Sequence, residues 1–569
     1  MTVQALDGRV AVRAGPDAET WVLRGALAAL FLMMAVFILA PLGTMVHKSL
    51  TGADGAFVGF DNYAVYLRSH GLGRSLVHSL AIALGTTALV VPTAFFFAYG
   101  VMRSTVPGRA VFKTIALLPL LAPSLLPALS LVYLFGNQGL LKALVPGGTI
   151  YGPLGIMLGM SFYVFPHVFL ILLAALAHAD GRLYEAAEVL GAGRLRRFAV
   201  VTLPGVRYGL VSAVFVAFTL AITDFGVPKV IGGGYDVLAT DIYKQVVGQQ
   251  NFAMGAAVGM ILLIPSALAF AADRLAQRRQ AAAISARSQP FHPRPSPLRD
   301  AVLLMLCLGV SAAILGILGC AAWASLIRFW PYDLSLTLAH YDFTAVSPQG
   351  WRPYGNSLIL ASGTAVVGAG VIFAGAYLIE RGRGLEVWRR ALHAIAMIPL
   401  AVPGMVLGIA YIFFFNAPGN PLGGLYGTMA ILIFCTVAHF YTVGHLTALA
   451  ALKQIDPEYE SVSASLRVPF WTTAFKVVVP VCLPAILEIA LYLFVNALTT
   501  VSAVVFLYAP DTLVASIAVL NMDDVGDSAP AAALATLIFL TALAARLLFQ
   551  GAVRGLLARS QAWRASGGG

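Results

Sequence analysis

Charge is what this sequence has least of. Of its 569 residues only 11% are Asp, Glu, Lys or Arg, while 59% are hydrophobic. A soluble domain carries about 25% charged residues. No soluble core could absorb this much apolar sequence, so a water-soluble globular protein is excluded and a polytopic membrane protein is expected. Cysteine is scarce too. Cys307, Cys320, Cys435 and Cys482 all fall in or beside apolar runs. They show neither metal-ligand spacing nor a disulfide framework, so they read as small core residues and no metal site is expected. Catalytic motifs are missing as well. There is no G-x-x-x-x-G-K-[ST] phosphate loop; Lys48-Ser49 and Lys113-Thr114 follow His47 and Phe112 rather than glycine. No H-E-x-x-H motif, nucleophile elbow or carboxylate pair in a plausible cleft is present, so no catalytic residue is assigned. The net charge of +11 would suit nucleic acid. In so apolar a chain, basic residues act as topology signals instead, and nucleic acid is not an expected partner.

Apolar runs are what the chain has in quantity. Runs long enough to cross a bilayer, about 17 to 25 residues, lie near 22–46, 76–101, 114–135, 153–177, 206–226 and 253–272. A second set lies near 301–327, 357–379, 391–415, 425–449, 482–508 and 530–549. The first run is too long for the apolar stretch of a signal peptide and has no A-x-A site after it, so it is expected to stay as a span. The fold class expected is an all-α polytopic membrane protein of about twelve transmembrane helices, six in each half. Expected boundaries are a tail at 1–20, a first six-helix repeat at 21–275, a linker at 276–300, a second repeat at 301–552 and a tail at 553–569. The linker is rich in Arg, Gln, Ser and Pro, a composition that reads as an extended tether. With the amino terminus inside, 28 of the 36 Lys and Arg fall on inner segments. The positive-inside rule therefore predicts that both termini and the linker are cytoplasmic. The long outer loops at 48–75 and 328–356 leave room for folded extramembrane structure.

The halves are repeats. Ser79, Gly85, Thr86, Phe95, Tyr99 and Arg103 recur as Ser357, Gly363, Thr364, Phe373, Tyr377 and Arg381, each offset by 278. Phe162, Tyr163 and His167 recur at the same offset as Phe440, Tyr441 and His445. Pro119 and Pro123 recur as Pro399 and Pro403 at an offset of 280, and Pro204 as Pro480 at 276. One shared residue type would mean little here; a sustained offset that drifts only at loops means duplication. An even number of spans precedes the second copy, so the repeats are parallel. The prolines, with Pro127, are expected to kink their helices. The equivalent places of His167 and His445 favour a packing role.

After the fourth run comes a polar stretch from Asp180 to Gly191, continuing to Leu203-Pro204. In it Glu185, Ala186 and Ala187 are followed after three residues by Gly191 and after eleven more by Leu203-Pro204. Two alanines let a short helix seat closely on a partner, Glu185 offers a charge, and Gly191 permits a turn that other residues resist. Pro204 suits a helix start, where its missing N–H costs nothing. The echo in the second half runs from Asp456-Pro457 to Val479-Pro480. Aligned on Pro480, the triplet becomes Ser461-Val462-Ser463, the glycine becomes Arg467, and Glu460 is displaced by one residue. Asp456 and Pro457 look like an N-cap and a first-turn proline, so a helix is expected there too, with Leu466 near its end.

This pattern resembles the EAA loop of binding-protein-dependent ABC importers, and the chain apart from tails and linker resembles a fused double permease of the type I, MetI-like superfamily. The resemblance implies a permease subunit in a bacterial inner membrane, surrounded by lipid, with no cofactor of its own. It also implies two copies of a separate ATPase carrying ATP and Mg, and a periplasmic or lipid-anchored substrate-binding protein. Coupling residues would be Glu185, Ala186, Ala187, Gly191 and Pro204, then Glu460, Ser461, Leu466, Arg467 and Pro480. A twelve-span secondary transporter and a membrane scaffold are the readings from other classes; the EAA loops and the lack of an intramembrane acid–base relay speak against the first.

Substrate-path residues are expected on the fifth span of each repeat. Thr219, Thr223 and Asp224 interrupt one apolar run; Asn496, Thr499, Thr500 and Ser502 interrupt the other. Asp224 reads equally as the outer end of a helix or as a gate. The second cluster reads as inter-helix hydrogen bonding or as path lining, and Glu488 as an inter-helix partner. The outer segments from Thr223 to Gly233, Leu238 to Gln245 and Val519 to Asp527 look like those of permeases assigned to 2-aminoethylphosphonate uptake. Fused ferric-iron permeases share the architecture and are the alternative.

Overall fold

The computed structural model describes residues 18–566 apart from 53, 70–71, 178–180, 284–290, 292, 383, 457 and 467. Asp180, Pro457, Arg467 and most of the first tail thus lie outside the described residues. Among the described residues ten helices are long and apolar enough to cross a bilayer. They are Glu19–Ser49 (span 1), Gly73–Arg103 (span 2), Pro153–Ala177 (span 4), Arg194–Thr223 (span 5) and Phe252–Gln277 (span 6). In the second half they are Pro297–Ala324 (span 7), Arg352–Arg381 (span 8), Met429–Lys453 (span 10), Phe470–Thr499 (span 11) and Ser528–Val553 (span 12).

The third and ninth runs, expected as kinked but single helices, are sharply bent pairs. Arg109–Leu121 and Leu125–Phe135 (span 3) turn through 103°, and Glu386–Ala401 and Gly404–Phe415 (span 9) through 113°. A residue before proline is driven out of the α region by the ring. Ala122 before Pro123 and Val402 before Pro403 are both extended, with ψ of 140° and 116°. Pro127, in the first turn of the helix that follows, needs no partner for its missing N–H and bends nothing further.

Hydrogen bonds between span ends show that each bent pair still crosses. Arg103 at the end of span 2 donates to the carbonyl of Leu176 at the end of span 4, at 2.6 Å. Ser79, near the start of span 2, accepts from Leu238 N at 2.8 Å. Gly152, just before span 4, donates to Ile231 O in the same post-span-5 segment, at 3.0 Å. Spans 2 and 4 therefore run in the same direction, and the chain between them has to pass from one face to the other. In the second half Arg381 donates to Leu452 O and Ile455 O, while Ser357 accepts from Ala515 N. Counting each pair as one crossing gives twelve spans, an all-α polytopic fold built as two six-span halves.

Spans 5 and 11 begin earlier than hydropathy suggests. Helix runs unbroken from Arg194 and from Phe470, with wide π turns at Phe198–Thr202 and Ala474–Val478. The expectation that Pro204 starts its span is thus corrected, and Pro480 behaves in the same way. Each proline sits inside a continuous helix, and the preceding π turn shifts the ladder where its N–H is missing. Span 11 also stops at Thr499, and 500–507 is not helical. The extended tether needs correcting too. The helix of span 6 continues to Ala283 and that of span 7 starts at Pro297; between them Phe291 and Arg294 pack on the first half, as shown below. The helix of span 12 continues to Ser566, through the residues expected as a tail.

Spans 2, 4 and 5 form one tight cluster and spans 8, 10 and 11 its counterpart. The first helix of each half leaves its own cluster for the other. Span 1 packs on span 9, and span 7 on spans 2 and 3. Tyr411 in span 9 donates to Phe37 O in span 1 at 2.7 Å, and Ser130 in span 3 to Ile317 O in span 7 at 2.8 Å. Both long loops, 48–75 and 328–356, carry structure: a helix at Asp61–Arg68, and a hairpin of Ile327–Phe329 with Asp333–Leu336.

Small residues set how closely the spans approach. At Gly209 in span 5 an added Cβ would overlap the Cβ of Ala175 in span 4, which has no flexible end to move aside. Gly209→Val is expected to cost about 1–3 kcal/mol, as overpacking does. It would be read as a loss of monodisperse, detergent-extracted protein with a lowered thermal midpoint. Gly370→Ala in span 8, where an added Cβ meets open space, should leave both unchanged.

Candidate functional site

The first polar loop folds as a helix, Gly181–Val189, closed by a tight glycine turn. Gly191 has φ +75°, its N–H reaches Glu188 O at 2.9 Å, and Ala192 N reaches Ala187 O at 2.9 Å. This is the Schellman pattern, in which the left-handed residue is normally glycine because a Cβ is penalised there. The turn expected at Gly191 is present. Glu185 and Ala186 are exposed and Ala187 is half-buried. Around them Leu183, Val189, Leu190 and Leu195 project with 55 to 88% of their surface exposed. An exposed apolar tip flanked by charges marks an interaction surface.

Beneath that tip the helix is anchored. Tyr184 is buried, its hydroxyl 2.9 Å from Thr202 Oγ1 at the base of span 5. The guanidinium of Arg103 lies 5.1 Å from the Tyr184 ring centre. Arg103 therefore holds the end of span 4 through Leu176 O and the loop helix through Tyr184. Sequence comparison of the halves flagged Arg103 and Arg381 only as matching positions. The structure makes both of them latches on the helix that leads into the polar loop.

The second loop also forms its expected helix, Glu458–Ser465. Asp456 Oδ1 accepts from Glu458 N at 3.0 Å, the expected cap. Val468 N reaches Ser463 O at 2.9 Å, the counterpart of the Ala192 bond, although Arg467 itself is outside the described residues. Glu460 lies within the helix; nothing is described of its side chain. Ser461 is exposed, and Tyr459, Val462 and Leu466 project with 54 to 70% exposure. The tyrosine of this helix, Tyr459, is exposed where Tyr184 of the first is buried.

The residues expected along a path divide. Thr219 and Thr223 donate to the carbonyls four residues back, Phe215 and Thr219, both at 2.8 Å. Thr499 and Asn496 do likewise to Val495 at 3.0 Å and Tyr492 at 2.7 Å. Asp224 ends span 5, and its Oδ2 accepts from Val227 N at 3.0 Å, opening the short helix Gly226–Ile231. All five are half-buried. Thr500 is buried and its carbonyl accepts from Ser516 Oγ at 2.5 Å. Glu488 is exposed on span 11.

Ser502 belongs to a contact that hydropathy could not reveal. It lies against Gly404, at the bend of span 9, so closely that a side chain on Gly404 would strike Ser502 Oγ. In the first half the same contact joins Gly226 to Ser124 at the bend of span 3. The serine and glycine have exchanged sides between the repeats. In both, the end of the fifth span presses on the bend of the third. On the same face Lys229 of the first half pairs with Asp524 of the second at 2.8 Å, and Tyr243 meets Phe506 with ring centres 6.2 Å apart. The halves are thus bridged beyond the ends of spans 5 and 11.

The histidines differ. His167 Nδ1 is 3.2 Å from Tyr163 O, whereas His445 Nε2 is 3.2 Å from His393 Nδ1. Among the described residues no group of three or more His, Cys, Asp or Glu could hold a metal ion. A buried carboxylate that the sequence reading missed, Asp273 of span 6, accepts from Ser212 of span 5 and, at 2.8 Å, from Gln277.

Comparison with known proteins agrees with this architecture. A ferric transport system permease protein of Actinobacillus pleuropneumoniae is 29% identical over 477 residues, covering 81% of this chain and 68% of that protein. A putative ferric transport system permease of Haemophilus influenzae is 29% identical over 464 residues, 78% of this chain and 72% of its own. A putative 2-aminoethylphosphonate transport system permease of Salmonella paratyphi A is 25% identical over 269 residues, 46% of this chain and 91% of its own. The sequence model of the binding-protein-dependent transport system inner membrane components matches twice, at 90–281 and 367–556, once in each half. The chain therefore belongs to that family: it is a MetI-like ABC-importer permease, a transport subunit and not an enzyme, that moves a small solute through a membrane.

Proposed function

We propose that this permease carries ferric iron into a bacterial cytoplasm, powered by two ATPase subunits on its polar loops and fed by a binding protein on the opposite face. The observation that carries the cargo is the length of the match. Ferric permeases align through both halves, over 81% and 78% of the chain, whereas the aminophosphonate permease aligns over 46%. Ferric iron takes precedence over 2-aminoethylphosphonate on that ground. The aminophosphonate reading keeps one support, the likeness of the segments around Thr223–Gly233 and Val519–Asp527.

In this reading residues 21–275 and 301–552 are the two permease units, and both termini lie in the cytoplasm with the polar loops. Glu185, Ala186, Ala187 and Gly191 form the better-built docking site, with exposed apolar residues around a capped helix. Ser461, Leu466, Arg467 and Glu460 form the weaker one. Pro204 and Pro480 act through the π turns, which join each loop rigidly to span 5 or span 11. A push on the loop helix then reaches Thr219, Thr223 and Asp224, or Asn496, Thr499 and Thr500, without an intervening hinge. Ser502 and Ser124 sit where the ends of those spans meet the bends of spans 9 and 3. The Lys229–Asp524 pair and the Tyr243–Phe506 contact keep the outer side shut until the binding protein arrives.

Uptake of radioactive iron by cells expressing the chain with its ATPase and binding protein tests the cargo. Accumulation that stops when any of the three is missing supports it. Growth on 2-aminoethylphosphonate as sole phosphorus source, without iron accumulation, would replace ferric iron with the second reading. Gly191→Val, combined with Glu185→Ala, should uncouple ATP hydrolysis from uptake. The left-handed backbone at position 191 alone costs a β-branched residue about 1–2 kcal/mol, and full uptake in this double variant would remove the loop from the mechanism.

A further inference from the structure

Phe291, Arg294 and Ser296, from the segment that joins the halves, lie against the first loop helix and the start of span 5. Phe291 places its ring 4.6 Å from that of Tyr184, with the Arg103 guanidinium 4.5 Å from the Phe291 ring centre. Arg294 Nη1 reaches Glu188 Oε1 at 2.6 Å, while Arg197 holds the other oxygen of that carboxylate at 3.2 Å. Arg194 donates to Ser296 Oγ at 2.8 Å. The segment has its own support: Ser296 N and Thr105 Oγ1 both donate to Asp300 Oδ2, at 3.0 and 2.6 Å, and Arg299 donates to Arg294 O at 2.8 Å. An aromatic ring packed on an aromatic–cation pair and three polar contacts make this a fitted strap.

We infer that Phe291 and Arg294 are positioning residues for the first ATPase-docking site, holding the helix Gly181–Val189 at the angle its partner meets. The inference rests on the docking role proposed above. The strap covers the flank that carries Tyr184 and Glu188 and leaves Glu185, Val189 and Leu190 exposed. It therefore presents the helix without blocking it. After the second loop, Phe470 N donates to Glu19 Oε1 at 3.3 Å and Phe470 O accepts from the Tyr377 hydroxyl at 3.4 Å.

The test uses the full chain in lipid nanodiscs with its ATPase. Phe291→Ala combined with Arg294→Ala is expected to speed amide hydrogen exchange across 181–189 and to leave 458–465 unchanged. It should also weaken ATPase capture by roughly tenfold, the factor that 1.4 kcal/mol represents. Phe291→Tyr, which keeps the ring stack, should restore both. Unchanged exchange and capture in the double variant would overturn the strap. If the unaltered chain captures no ATPase, the docking role fails instead, and the exchange measurement still decides whether the linker braces the helix.

Discussion

A peptide group facing hydrocarbon has to find its hydrogen-bond partner inside the chain, and this constraint governs where the molecule can bend. Straight helix satisfies it everywhere. Departures from straight helix within the spans occur where proline has removed a donor or forced its neighbour to be extended. Pro123 and Pro403 break spans 3 and 9, and the bends pack closely on the segments that follow spans 5 and 11 through the Ser124–Gly226 and Gly404–Ser502 contacts. Pro204 and Pro480 have the opposite outcome, because π turns absorb the missing donor and the helix stays whole. One residue type thus makes a corner in one span and a rigid lever in another. What decides is whether the preceding residue is pushed out of helical geometry.

Those two outcomes account for much of the working geometry. A continuous helix from Arg194 to Thr223 ties the polar loop to the far side of the membrane, so a displacement at one end cannot be lost midway. The broken spans offer the place where that displacement meets a small, close contact. The exchange of serine and glycine between repeats shows that the contact, and not either residue alone, is what both halves retain. Swapping the first helices then makes each half depend on the other: span 1 completes the second cluster and span 7 the first. Duplication in one polypeptide places both swaps within reach of a short linker.

The gross architecture was legible because its signals are collective. Apolar run length, the bias of Lys and Arg, and an offset that stays near 278 each draw on many residues, and chance does not sustain them. The loop motif was legible because Gly191 needs a left-handed backbone that few other residues adopt. Individual contacts were not. Arg103 appeared as one matching position among several, since nothing in its neighbours announces that Leu176 O and Tyr184 will converge on it. The sharp bends escaped because hydropathy cannot tell a kinked span from a broken one; only the extended backbone at Ala122 and Val402 does. The linker was misread for a related reason. Its composition cannot build a core, yet a single aromatic, Phe291, was enough to seat it on a surface already made by Tyr184 and Arg103.

The two loops differ in a way that follows from these anchors. Both form a capped helix with an apolar tip, so both are shaped to be covered by a partner. The first has a buried tyrosine beneath it, a glycine at its turn and a strap along its flank. In the second, Tyr459 points outward, the turn position carries Arg467 in place of glycine, and Glu19 and Tyr377 bond to Phe470 beyond the loop. A helix held at several points transmits force with little slack; one held at fewer points yields first. On the docking role proposed above, two identical ATPase subunits would meet two differently built loops. The symmetry of the motor would be broken by the permease itself, with span 5 driven more directly than span 11.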